Sequence, residues 1–150
     1  MASTINAAIT GLLAAVNAQG LVNVDVFDGP PAVDSYANQD AISIGWQSDT
    51  TDVVTFTVDW VTMGAIRAEE HYDILCELET TGGDGDVTSR RARAIVLRDA
   101  VAAAITADRT LAGAVRLAHM TVGKLMTEQS DRGVTVICQF TVSCEARINT

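Results

Sequence analysis

The sequence predicts an α+β domain with a mostly antiparallel sheet and two helices packed on one face. Three observations carry that expectation. Two segments place apolar residues at helical spacing, several others place them at every second position, and the connections are too short for repeated parallel crossovers. With 150 residues, 48% of them hydrophobic and 19% charged, the chain fits one domain, which at this length buries roughly 70% of its unfolded surface. It contains no internal repeat, low-complexity tract or long linker.

The first helix is read from Ile5, Ile9, Leu12, Leu13 and Val16, which share one face; Ser3 or Thr4 can cap its start and Gly20 can end it. Val22, Val24 and Val26 then alternate as a half-buried strand, stopped by the turn Asp28-Gly29-Pro30-Pro31. After a loop, Ile42, Ile44 and Trp46 form a second alternating set and Val54, Phe56, Val58 and Trp60 a third. The polar stretch from Gln47 to Asp52 separates them, so these two strands are expected to form a hairpin. Beyond Met63 and Gly64, a fourth strand runs through Tyr72, Ile74, Cys76 and Leu78 into the glycine-rich loop from Thr81 to Asp86.

The second helix is expected from about Val87 to Thr106. Val87, Ala94, Leu97, Val101, Ala104 and Ile105 share a face, with Asp86 or Thr88 as cap. After a turn from Asp108 to Gly113, the segments Ala114 to Met126 and Val134 to Ile148 make a closing hairpin. The second is apolar at every other position from Val134 through Cys144 to Ala146.

The formal charge is −9, and the first 66 residues hold seven aspartates and no Lys or Arg. Gripping nucleic acid needs clustered cations, so that class is disfavoured; an acidic surface instead repels DNA or meets a basic partner. No apolar run approaches the ~20 residues that span a bilayer, and the segment Ile5 to Val16 lacks the basic start of an export signal. Residence in the cytoplasm, without membrane contact, is the expectation. Cys76, Cys138 and Cys144 have no CxxC spacing and sit at apolar strand positions, so they read as reduced core residues.

A catalytic set is not found. His71 and His119 stand in no metal-binding motif, and Glu69, Glu70 and His71 would point to alternating faces of a strand. The loop Gly82-Gly83-Asp84-Gly85-Asp86 lacks the Gly-Lys-Ser or Gly-Lys-Thr end of a phosphate loop. A calcium loop starting at Asp84 would have Ser89 and Ile95 where glycine and glutamate belong. No metal, cofactor or enzymatic activity is expected. Arg90, Arg91, Arg93 and Arg98 crowd the front of the second helix, against its dipole, and call for a compensating partner: they form a solvated face paired with nearby Asp84, Asp86 and Asp99, or they contact a neighbouring subunit or DNA. Trp46 and Trp60 are either core residues or interface anchors.

Several segments in order resemble the tail terminator proteins of siphophages. They are the first helix, the strand entering Val26-Phe27-Asp28-Gly29-Pro30-Pro31, the Ile42-Ser43-Ile44-Gly45 strand, and Arg67 to Cys76. The arginine-led helix, Thr110-Leu111-Ala112-Gly113-Ala114-Val115 and the final Cys144-Glu145-Ala146-Arg147-Ile148 follow. The resemblance spans nearly the whole chain; each motif is weak alone, and their order is the more specific signal. It implies a structural virion protein at the head-proximal end of the tail, assembled in the host cytoplasm. Such a protein forms a ring, commonly a hexamer, on the tail tube, ends tube growth and offers a surface to the head-tail connector, while DNA passes through the bore without specific binding.

Candidate contacts to neighbours are Arg90, Arg91, Arg93, Trp46, Trp60, Glu69 and Glu70. Competing readings are another head-tail connector or minor tail protein, a small cytoplasmic enzyme or ligand-binding α+β domain, and a regulatory interaction protein. A deep polar pocket holding His71 or His119 would favour the enzyme, a basic groove the regulator.

Overall fold

A computed structural model describes residues 2–31, 40–60, 67–83, 85–130 and 133–149. In chain order the elements are α1 (Ile5–Asn17), β1 (Val24–Asp28), β2 (Asp40–Ile44), β3 (Val54–Trp60), β4 (Arg67–Gly82), α2 (Val87–Ala107), β5 (Leu117–Ser130) and β6 (Gly133–Asn149). The fold is α+β, with a mostly antiparallel sheet of six strands; β1 and β2 form its parallel pair.

Strands β4 and β6 are its spine, paired along the full 16 residues of β4 from Arg67↔Asn149 to Gly82↔Val134. The expected closing hairpin is present: β5 pairs with β6, with a bulge between Met120 and Gly123. The expected hairpin of the second and third strands is not. β2 and β3 do not pair with each other; they lie end to end along one edge of β4, β3 against Ala68 to Ile74 and β2 against Cys76 to Thr80. The linking segment turns tightly on itself, the Thr50 N–H donating to the Gln47 carbonyl at 3.5 Å, and is pinned to the spine rather than bringing β2 and β3 together. Gln47 Nε2 donates to the carbonyls of Cys76 and Phe140 at 3.1 and 3.3 Å, and Ser48 donates to Glu77 through both its backbone N–H and its hydroxyl. Alternation in a strand reports which face it buries, not which strand it joins.

Alternate residues of the spine, Tyr72, Ile74, Cys76 and Leu78 on β4 with Val136, Cys138, Phe140 and Val142 on β6, enter one core cluster. Leu12 and Val16 of α1 join it, as do Leu97, Val101 and Ile105 of α2. All three cysteines are buried and unbridged, as expected. α2 has the expected extent, and the Asp86 carboxylate caps it by accepting from the Ser89 N–H at 3.1 Å. α1 ends at Asn17, before Gly20, while Val22 falls outside β1 and is 73% exposed. α1 packs so closely on the turn after α2 that a Cβ at Gly11 would collide with the Leu111 carbonyl.

Candidate functional site

Side chains on the other face of the spine are largely polar. On β4 these are Glu69, His71, Asp73, Glu77 and Glu79, with Leu75 among them; on β6 they include Gln139, Ser143, Glu145 and Arg147. The alternation of β4 therefore separates Glu69 and His71 from Glu70, as the sequence implied.

Glu69 stays on the polar face inside a network of charges. Arg147 Nη2 lies 3.2 Å from its carboxylate, Arg116 Nη1 4.0 Å and His71 Nε2 3.8 Å; Asp59 stands 3.9 Å from the same imidazole. Arg116 also donates to Glu145 at 2.9 Å, which chiefly holds that carboxyl below its ordinary range, with His71 and His119 adding to the effect. Glu70 instead turns inward. It is 2% exposed, and its carboxylate accepts from the Thr4 N–H and hydroxyl, so it is not a surface contact.

Pairing β5 to β6 brings His119 opposite Ser143, and pairing β4 to β6 brings His71 opposite Glu145. Both histidines consequently border one cavity of about 360 Å³, together with Asp73, Ser143 and Glu145. No local pattern around either histidine signalled this meeting, because the residues lie on separate strands. Ser143 donates its hydroxyl to Asp73 at 2.6 Å and also meets the Thr121 hydroxyl at 3.0 Å. A serine whose proton is held by a carboxylate is not activated by a histidine base. The neighbouring Cys144 thiol is pushed up to about 12 by burial and then by Asp73, and burial chiefly pushes Tyr72 up to about 12. Neither supplies a nucleophile at neutral pH. Among the described residues, no three His, Cys, Asp or Glu side chains are arranged to hold a metal ion.

Further along this face, Glu77 is buried and accepts from Ser48 and, at 3.1 Å, from Gln139, which also donates to Asp49 at 2.9 Å. Burial raises the Glu79 carboxyl above its ordinary value, and the charges of Glu77 and Glu128 raise it further. Like charges are thus concentrated at this end of the sheet.

The arginines of α2 divide. Arg93 Nε pairs with Asp40 at 2.9 Å, not with the aspartates near it in sequence; Arg90 reaches the Thr80 hydroxyl at 3.4 Å; Arg98 lies 3.7 Å from Asp99; Arg91 is exposed. Asp84 lies outside the described residues. Trp46 sits just past β2 and is half-buried.

Trp60 is 61% exposed and Phe56 62%, both on β3. They project from the core side of the sheet, opposite Ala68 and Tyr72 of β4, with Val58 between them. Among the described residues β3 pairs only with β4, and β5 only with β6. β5 carries its own bare apolar residues, Val122 at 78% and Leu125 at 40% exposure. No family model and no curated protein matches the chain. Sequence reasoning singled out Trp60 but missed Phe56. Both continue the alternation of a buried strand, and a hairpin with β2 would have left them beside covered neighbours; the visible signal is the absence of Lys, Arg or Pro along β3 to protect its edge.

Proposed function

We propose that this chain is a non-enzymatic, ring-forming structural protein that caps the head-proximal end of a phage tail tube, ends its growth and presents a surface for joining to the head. The observation that carries this reading is the pair of bare aromatics, Phe56 and Trp60, on a strand with an open edge. At roughly 25 cal/mol per Å² and ~200 Å² per aromatic side chain, covering their exposed parts is worth about 6 kcal/mol before the entropy cost of association. A surface of this kind is made to be covered. The resemblance of the segment order to tail terminators supports a tail-tube assembly, and the net charge of −9 suits a ring through which DNA passes without adhering.

Electron microscopy of tails made with and without the chain tests the reading. Tubes of uncontrolled length are expected in its absence; tails of normal length would overturn it. The cavity bordered by His71 and His119 favours a second reading, a ligand-binding α+β domain. Purified chain that stays monomeric beside tail tubes and ignores them would move the balance to that alternative.

A further inference from the structure

The geometry points to a specific head-to-tail contact between copies of this chain: the open edge of β3 in one copy adds to the open edge of β5 in the next, in antiparallel pairing. β3 runs antiparallel to β4, β4 to β6 and β6 to β5, so β3 and β5 run in opposite directions at two outer edges of the sheet. A second copy displaced sideways and slid along its strands until Asp59 stands opposite Lys124, without being turned over, sets its β3 antiparallel to β5 of the first, keeps corresponding faces on the same side and carries its own β1, the outermost strand beside β2, past the end of β5. This is strand addition, in which main-chain hydrogen bonds bind and side chains select.

The side chains match across that junction on both faces. On the core side, Trp60 then comes opposite Gly123 and next to Met120, Val58 opposite Leu125 and Phe56 opposite Thr127, at a groove of about 310 Å³ between α2 and β5 that Ile95 and Phe140 also border. Aromatic residues that their own copy leaves bare gain cover from the neighbour's helix. Arg98 borders the same groove and adds a cation beside the incoming tryptophan ring. On the polar side, Asp59, whose side chain is 71% exposed, comes beside a strand carrying His119 and Lys124. β3 holds an acid and no Lys or Arg; the middle of β5 holds a lysine, and its acid, Glu128, lies toward the far end. Opposite charges across paired strands favour this register, whereas a pair of β3 edges would bring no Lys or Arg of the strand to Asp59. Because the two surfaces differ, the contact repeats from copy to copy and closes a ring where the rotation per copy permits. The ring in the proposed function rests on the same contact, but the contact stands on these edges alone.

Sedimentation and native mass spectrometry of the full chain test it with two variants: Phe56→Glu with Trp60→Glu for the β3 edge, and Lys124→Glu with Leu125→Glu for the β5 edge. Wild type is expected to assemble and each variant alone to lose every species above monomer. An equal mixture is expected to form a one-to-one dimer, since one β3 edge and one β5 edge remain intact between the two, and that dimer also shows that both variants fold. Should either variant not fold, Trp60 fluorescence in a Trp46→Phe chain supplies the reading: a blue shift and loss of acrylamide quenching on assembly are expected. Wild type that remains monomeric at every concentration overturns the contact, as does a Trp60 that stays quenchable in the assembled chain. Wild-type assembly by either variant alone also overturns it, and points to like edges or other surfaces. Variants that assemble normally but lose tube binding would assign the edges to the tube subunit. Failure of the tail-length experiment leaves this contact untouched, and a ring that survives both edge variants sinks the contact while leaving termination in place.

Discussion

Thr4 donates both its backbone N–H and its hydroxyl to the same oxygen of Glu70, at 2.9 and 2.8 Å. Because that hydroxyl proton is committed to the carboxylate, Tyr72, 2.9 Å from the Thr4 oxygen, is the donor in their contact. Thr4 occupies the N-cap position of α1 but makes no side-chain cap; its hydroxyl joins the helix start to β4 instead.

Burial alone would raise the Glu70 carboxyl, but hydrogen bonds from Ser3 and from the Thr4 backbone and hydroxyl together hold it below its ordinary value. A lowered folded value means stability that is present above the unfolded value and lost as pH falls through the folded one. Glu70→Gln is expected to destabilise the chain by about 1.5–3 kcal/mol at neutral pH. Denaturant titrations at a series of pH values should show that gap narrowing in acid, and a constant gap would contradict the linkage.

Glu79 has the opposite sign. Burial, then Glu77 and Glu128, raise its folded value above 4.5, so its stability contribution falls as pH rises through that raised value. Glu79→Gln is expected to melt higher than wild type at neutral pH and to match it well below pH 4.5, the ordinary value. A Glu128→Gln background should reduce the gain. Calorimetry at the two pH values checks both statements.

The approach of α1 to the turn after α2 makes Gly11 irreplaceable by larger residues. Gly11→Ala drives a methyl group into the Leu111 carbonyl, which is backbone and yields poorly. A loss of about 1–3 kcal/mol is expected from such overpacking, although alanine is the better helix former. Chemical unfolding that shows a gain would refute the close approach.

Leu111 and Ala112 both adopt left-handed backbone conformations, with φ of 49° and 62°. The Asp108 carboxylate holds the turn, accepting from the Thr110 hydroxyl at 2.6 Å and from the Ala112 N–H at 2.8 Å. Leu111 is fully buried and must stay, but Ala112 is exposed. Ala112→Gly is expected to stabilise the chain by about 0.5–1 kcal/mol by relieving the left-handed strain, read as a raised melting temperature.

Local pattern determined much of this protein by itself. The steps of Ile5, Ile9, Leu12 and Val16, and the alternation from Val134 to Ala146, settle helix, strand and buried face, because periods of 3.6 and 2 are properties of the backbone and need no partner to be read. They also placed Glu69 and Glu70 on opposite sides of β4 and the cysteines in the core. Only the tertiary structure decided that β2 and β3 share one edge of β4, that Thr4 seats Glu70, that His71 and His119 border one cavity, and that Phe56 and Trp60 stand bare. Each depends on which distant segment becomes the neighbour. Closing a longer loop costs only about 0.6 kcal/mol per doubling of its length, so separation along the chain ranks the possible partners weakly and the choice falls to packing of the whole.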